Sequence, residues 1–304
     1  MNKKLVIFDG NHLAYRAFYK FANLKTLDGV RTAVIYGMPY VAESLIRRLS
    51  PDEVVVVFDG GRSQFRLDLL PTYKQRDQKL GFDKADFYRQ RDVGMELFQA
   101  MGLRIVQKRY FEADDLIAMV ARRYANANWN VTIVSGDKDF NQLIQQSCNY
   151  LPTLFGEISI YNTGKAKYYT YRNLEKELGY RPEQTVDYLS LLGDKSDKIP
   201  GYPGIGPVKA SQLLKEYGSI QNFLKSDDKF GKVDKVELKK VWKLNRKLID
   251  IKYFYRKFLI KEEIPWVYPN YGFDLDKLKI LCGSYEINSF LKPQFIKTFK
   301  KLGQ

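Results

Sequence analysis

The sequence predicts an α/β fold: a central, mostly parallel twisted sheet with helices on both faces, followed by a helical C-terminal unit. Three observations predict it. Short β-branched runs alternate with helical patterns in the first half of the chain. Three of those runs end at an aspartate beside glycine. Beyond residues 162–182 no further buried parallel strand is evident, and the pattern is mainly helical.

The elements follow in order. Leu5-Val6-Ile7-Phe8 ends at Asp9-Gly10, Val54-Val55-Val56-Val57-Phe58 ends at Asp59-Gly60-Gly61, and Val131-Thr132-Ile133-Val134 ends at Ser135-Gly136-Asp137. Continuous apolar runs of this kind suit strands buried on both faces, as in a parallel sheet. Arg104-Ile105-Val106 is a further strand-like run. Helical patterns cover residues 33–49, 86–101 and 113–126. In such sheets ligands bind beyond the carboxyl ends of the strands. Asp9, Asp59 and Asp137 sit at those ends, and Asp139, which either caps a helix or adds a ligand, follows two residues later.

The stretch Phe111-Glu112-Ala113-Asp114-Asp115-Leu116 places three carboxylates at the start of a helix. Glu112 and Asp115 are i, i+3 neighbours, with Asp114 to the side. Alone, this is an acidic first turn complementing the helix dipole. With the other stations it predicts a convergent acidic pocket, where like charges raise one another's pKa values.

Composition narrows the partners. The chain has 304 residues and a formal net charge of +15, which points to a polyanion such as nucleic acid. Two cysteines and one histidine exclude the usual zinc sites and disulfide frameworks, and fit a reducing, cytoplasmic setting. A metal would be held by oxygen, which favours Mg²⁺ or Mn²⁺. No apolar run approaches a membrane span.

Two stretches suit nucleic acid. Residues 62–92 interleave eight Lys or Arg, against five acids, with Tyr73, Phe82, Phe87 and Tyr88. This fits a single strand as well as it fits a solvated helix pair. After Gly193-Asp194-Lys195-Ser196-Asp197, whose two aspartates have the spacing of one helical turn, comes Gly201-Tyr202-Pro203-Gly204-Ile205-Gly206-Pro207-Val208-Lys209. It has the form of a helix-hairpin-helix: Gly204 and Gly206 allow close backbone approach, a helix start favours phosphate, and Lys209 adds a point charge. The glycine spacing also matches a P-loop, but Pro207-Val208 replaces the required Lys-Ser/Thr. Residues 225–261 hold thirteen Lys or Arg against five acids, a net +8 suited to duplex. Residues 274–301 read as two closing helices.

The order of these motifs resembles the 5′-nuclease family, which includes flap endonucleases, phage 5′–3′ exonucleases and the 5′-nuclease domain of bacterial DNA polymerase I. The resemblance rests on Phe8-Asp9-Gly10, Phe58-Asp59, Phe65-Arg66…Tyr73-Lys74, Glu112-Ala113-Asp114-Asp115, Gly136-Asp137-Lys138-Asp139, Gly193-Asp194-Lys195-Ser196-Asp197 and the hairpin. It implies a PIN-like nuclease domain over residues 1–180, with a helical arch at about 71–95, and a hairpin domain over 181–304. It implies a structure-specific 5′ nuclease, flap endonuclease and 5′–3′ exonuclease, acting on single-strand/duplex junctions, including RNA–DNA hybrids, as a stand-alone monomer. Two Mg²⁺ or Mn²⁺ would be held by Asp9, Asp59, Glu112, Asp114, Asp115, Asp137, Asp139, Asp194 and Asp197, and a monovalent cation would sit at the hairpin. Lys74 would reach the scissile phosphate beside the catalytic Asp9, Asp59, Asp114 and Asp137. Tyr15, Arg16, Arg66, Tyr73, Lys74, Arg76, Gly204, Gly206 and Lys209 would contact DNA; for Tyr15 an apolar helix face with Phe18 and Tyr19 is an equal reading. Two departures stand out: Asp77 occupies the place of a family arginine, with Arg76 one residue early, and Lys198 stands where relatives often have asparagine. The rival classes are a non-catalytic junction-binding protein and a single-strand ribonuclease of related fold.

Overall fold

Six strands form the main sheet of the computed structural model, which describes residues 2–75, 82–146, 155–254, 257 and 272–303. They are β1 (Lys4–Asp9), β2 (Glu53–Phe58), β3 (Arg104–Gln107), β4 (Asn130–Val134), β5 (Ile158–Asn162) and β6 (Lys167–Tyr169), in the order β3-β2-β1-β4-β5-β6. All pairs are parallel except β5–β6. The order reverses at β1, which lies between β2 and β4. This is the switch point where connections leave in opposite directions and a crevice opens. Register aligns the strand ends there: Asp9 pairs with Val57, and Phe8 with Val134. The acidic residues that follow therefore leave the sheet at one level.

Helices α1 (Gly10–Lys20), α2 (Ala33–Leu49), α3 (Gln64–Leu69), α4 (Lys84–Ala100) and α5 (Ala113–Asn126) connect these strands. Strand alternation separates two cores. Val6, Phe8, Val54 and Val56 face α1, α2 and α4, whereas Leu5, Ile7, Val55 and Val57 face α5. The four expected strands and the three expected helices form where the patterns placed them. Strands β5 and β6 had no such signal. Ile158-Ser159-Ile160-Tyr161-Asn162 alternates polar and apolar residues, because this strand lies toward the sheet edge instead of its buried centre.

Helix α6 (Leu174–Leu178) still belongs to the sheet unit, with Leu174 buried in the core on the α5 side. The second unit contains α7 (Thr185–Leu192), a short antiparallel pair β7 (Gly193–Asp194) and β8 (Ile199–Pro200), and then α8 (Pro207–Tyr217), α9 (Ile220–Lys225), α10 (Lys235–Ile249) and α11 (Ile251–Phe254). Its core joins Leu191, Ile205, Leu213, Leu214, Phe223 and Leu238. Buried Asn245 of α10 donates to the carbonyls of Ser190 and Pro200, fastening the hairpin loop to that helix. Asp194 and Asp197 do not share a helical turn: the first ends β7, and the second follows in the β7–β8 turn. Gly193, at φ 69° and crowded by backbone atoms of Ile199 and Gly201, breaks the helix before them.

The two closing helices are α12 (Leu275–Ser284) and α13 (Pro293–Lys300). They return to the first sheet face. Leu278, Cys282, Phe290, Phe295 and Phe299 join the core of Val34, Ile35, Met38 and Phe98, and Phe290 stacks on Tyr36 with centroids 5.4 Å apart. An amphipathic pattern marks a face for burial but not its partner. Phe290 is 1% exposed, so Phe290→Ala is expected to destabilise the whole sheet unit by about 3–5 kcal/mol. Urea unfolding would check this; a loss confined to the last two helices, with the main transition unmoved, would contradict the shared core.

Candidate active site

Asp9 ends β1 and caps α1. Its Oδ1 accepts from the His12 backbone N–H (2.9 Å) and its Oδ2 from the Ser135 hydroxyl (2.9 Å). Ser135 also accepts from the Asp137 N–H at 3.1 Å, so one hydroxyl ties the ends of β1 and β4 together. Asp59, just past β2, accepts from the Ala113 N–H at 2.7 Å and from the Asn11 amide. It thereby lies at the positive start of α5. Gly60 must be glycine, since a Cβ there would lie 1.8 Å from the Lys108 carbonyl oxygen. Asp137 caps the 3₁₀ turn 138–143, accepting from the Asp139 N–H at 2.9 Å.

The first turn of α5 divides its carboxylates between two environments. Asp115 is fully buried and takes both Arg66 Nη atoms at 2.7 Å. Glu112 accepts from the Ser63 N–H (3.1 Å), the Tyr73 hydroxyl (3.0 Å) and the Lys74 ammonium (2.6 Å). Asp114 shares the Lys74 ammonium with Glu112, at 3.4 Å, and also adds its charge to the acids at the strand ends. Burial and then the charge of Asp114 push Asp9 up to about 8 and Asp137 up to about 6. The same two causes raise Asp59. Burial, then Asp137, then Asp114 raise Asp139, and burial raises Asp197 against the opposing pull of Lys74. Asp194 differs: burial opposes ionisation, but the Ser196 hydroxyl and Lys138 ammonium (3.0 Å) hold it below its ordinary value. Glu112 is likewise held down to about 2, because Lys74 and Arg66 outweigh its burial.

Lys74 lies on the Glu112 side of this pocket. Its ammonium is 2.6 Å from Glu112, 3.4 Å from Asp114 and 3.9 Å from Asp197, and its backbone N–H donates to the Asp197 carbonyl. It sits at φ 51°, a left-handed conformation that bulky residues seldom adopt without tertiary support. Despite burial, Glu112 and Asp114 keep it protonated.

Several expected contacts take other roles. Arg66 is 2% exposed and Tyr73 is 3% exposed; both face Glu112, so neither presents a surface to DNA. Asp115 has both oxygens engaged by Arg66 and is a structural anion here. Tyr15 is half-buried in an aromatic cluster, 4.5 Å from Phe87 between ring centroids. Arg16 is exposed. Arg76, with Asp77 and the rest of 76–81 in the expected arch, lies outside the described residues. Gly204, at φ 79°, and Gly206 are open, and exposed Lys209 donates to the Gly204 carbonyl at 3.0 Å. Sequence reading missed Ser135, Asn11 and the counter-charge Lys138, which are ordinary polar residues until the strand ends meet.

Among the described residues, no group of three or more His, Cys, Asp or Glu side chains is close enough as it stands to hold a metal ion. The donor chemistry nevertheless fits hard divalent cations. The pocket offers only oxygen ligands, its carboxylates repel one another, and the buried Oδ1 of Asn11 beside Asp59 has no hydrogen-bond partner.

Comparison with known proteins agrees with this architecture. The model of the 5′–3′ exonuclease N-terminal resolvase-like domain matches residues 4–179, and that of the 5′–3′ exonuclease C-terminal SAM fold matches residues 180–262. The chain belongs to the 5′–3′ exonuclease family. The 5′-nuclease class expected from its motifs is therefore its class. The 5′–3′ exonuclease of Aquifex aeolicus is 32% identical over 302 residues, covering 99% of this chain and 98% of that protein. DNA polymerase I of Bacillus subtilis is 31% identical over 301 residues, and the chain spans 31% of that longer protein. In fold, the chain is similar to the bacteriophage T5 flap endonuclease in a pseudo-enzyme-product complex with DNA and metal ions. The TM-score is 0.67 at 22% identity, covering 83% of this chain and 90% of the other.

The raised carboxylates of this family member set a pH dependence. An acid whose folded pKa exceeds its unfolded value keeps a proton that the unfolded chain releases, so its contribution is lost as pH rises through the folded value. With Asp9 at about 8 and Asp137 at about 6, stability in chelator is expected to fall between about pH 4 and 8. Asp9→Asn should flatten that fall and raise the melting temperature at pH 8. Melting curves of both proteins across this range would check it; parallel curves would show that Asp9 is ionised at neutral pH.

Proposed function

We propose that this protein is a divalent-metal-dependent, structure-specific 5′ nuclease that hydrolyses DNA at single-strand/duplex junctions and from 5′ ends. The observation that supports it best is the acidic pocket at the sheet switch point, centred on Asp114 and bordered by a protonated Lys74. Asp9, Asp59, Asp114, Asp137 and Asp139 would hold two Mg²⁺ or Mn²⁺, with Asp194 and Asp197 on the far wall. The bound ions supply water activation and charge stabilisation at the leaving oxygen. The protein's own part is placement. Lys74, steadied by Glu112, aims one cation at the reacting phosphate, where preorganised charge acts most strongly. Glu112 serves to orient Lys74 and Tyr73 more than to bind metal.

The hairpin unit would bind the duplex. The amides at the start of α8, the Gly204 turn and Lys209 suit phosphate, and exposed Lys239, Lys240, Lys243 and Lys247 extend the basic surface along α10. Residues 1–180 and 181–304 would divide these tasks, with α12 and α13 at the end of the second span serving the core of the first, and a strand-threading arch would span about 71–95. Flaps, RNA–DNA hybrids, a monomeric state, a cytoplasmic location and a monovalent cation at the hairpin belong to the same proposal. No helix among the described residues is long and apolar enough to cross a membrane.

Two sets of variants test it. Lys74→Ala should slow single-turnover cleavage of a labelled flap about 10²–10³-fold with little loss of flap binding. Asp137→Asn should nearly abolish Mg²⁺-dependent cleavage while leaving metal-free binding intact or tighter, since a charge facing phosphate is removed. A folded Asp137→Asn protein that cuts at the wild-type rate would refute the metal reading.

For the hairpin, Gly204→Val, which forces a β-branched residue to positive φ, and Lys209→Ala should weaken duplex binding equally for all sequences. Salt titrations should show a shallower slope for Lys209→Ala. Unchanged affinity and slope in both variants would remove the hairpin from the duplex surface.

A further inference from the structure

The corner between α10 and α11 is held by two buried polar side chains: one also grips Asp115 beside Asp114, and the other comes from the turn that carries Asp137 and Asp139. Arg66 of α3, which follows Asp59 by seven residues, donates its Nε to the Leu248 carbonyl at 3.0 Å while its two Nη atoms hold Asp115. Its guanidinium also lies 4.7 Å from the ring centroid of Phe254 in α11. Gln142, in the 3₁₀ turn capped by Asp137, donates to the Ile249 carbonyl (3.0 Å) and accepts from the Ile251 N–H (3.0 Å). Arg66 is 2% exposed and Gln142 is 1% exposed.

These bonds satisfy the backbone groups that open where α10 ends and α11 begins. Apolar packing could close the same corner without specifying its angle. Two directional grips fix the orientation of α10 relative to the acid-bearing turns, and α10 is also the helix that Asn245 fastens to the hairpin loop.

We propose that Arg66 and Gln142 are positioning residues that couple the duplex-binding unit to the acidic pocket. A duplex engaged at the hairpin and α10 is thereby presented to carboxylates already set at the productive angle. The proposal rests on the nuclease reading above. Neither residue touches the substrate. Their effect is the rate advantage that a duplex-bearing substrate has over a single strand. A misplacement of about 1 Å costs up to about 10²-fold in rate when geometry is limiting.

The test uses the full chain and two labelled DNAs, a flap whose duplex is long enough to reach α10 and a single-stranded oligonucleotide. Single-turnover rates with Mg²⁺ give a duplex-to-single-strand ratio. Gln142→Met, similar in volume but unable to make either bond, should lower that ratio about tenfold. Its single-strand rate and flap affinity should stay within twofold of wild type. Arg66→Lys, which keeps a cation for Asp115 but loses the guanidinium's simultaneous bond to the Leu248 carbonyl, should lower the ratio in the same way, and it remains informative if the methionine variant does not fold.

Equal loss of both rates in a folded variant would show a merely structural role and overturn the proposal, as would an unchanged ratio. A wild-type protein that cuts both DNAs equally would overturn it directly. A wild-type protein that cuts neither, with Mg²⁺ or Mn²⁺, would defeat the nuclease reading itself.

Discussion

The repulsion among carboxylates around Asp114 is the constraint on which the rest of the site depends. Asp9, Asp59, Asp137, Asp139 and Asp197 are each raised by burial and by acidic neighbours that include Asp114. Folding nevertheless brings them together, because the parallel sheet carries its strand ends to one edge. Compensation comes from two cations of different kinds. Arg66 is buried, bidentate and fixed, and neutralises Asp115 as structure. Lys74 is partly exposed and carries a compact charge that faces Glu112, Asp114 and Asp197 together. A rigid guanidinium suits a support and a flexible ammonium suits a working group, which is how the two cations are distributed.

Backbone conformation is bent to the same end. Lys74 and Lys198 are both in the left-handed region, at φ 51° and 60°. The Lys74 N–H is tied to the Asp197 carbonyl, so the two unusual residues lie on segments joined by a hydrogen bond. Lysine is an uncommon occupant of this conformation at position 198. Asparagine or glycine would tolerate positive φ better, so lysine there stores backbone strain at the turn that carries Asp197. Strain of this kind persists when surrounding structure over-determines it.

The hairpin unit shows a separate economy. Its core is small, and much of its order comes from directional bonds. Gln184 donates to the Leu214 and Gly218 carbonyls, Asp187 accepts from the Trp242 indole and the Ile220 N–H, and Asn245 holds the loop. These bonds leave the lysines of α10 and the open glycine turn unburdened by packing, so the surface that carries positive charge is not the one that holds the unit together.

Sequence by itself determined the sheet class, the three acidic strand ends, the acidic helix start and the glycine turn before α8. Each is encoded locally: a buried parallel strand needs a continuous apolar run, and a close backbone approach needs glycine. The same local logic failed at β5, whose alternation reflects its place near the edge. It failed also at Asp194 and Asp197, where Gly193 breaks the helix that their spacing implied. Only the tertiary structure decided which acids share a pocket and which are neutralised as structure. Asp114 and Asp115 are adjacent and chemically identical, yet one lends its charge to the acids around the strand ends and the other is held by both Arg66 Nη atoms. Tertiary structure likewise turned Arg66 and Tyr73 inward, returned α12 and α13 to the first core, and made Gln142 a strut. The physical reason is that a local pattern specifies how an element folds and which face it buries. The partner on that face, and the charge that balances a buried group, come from residues far away in the chain.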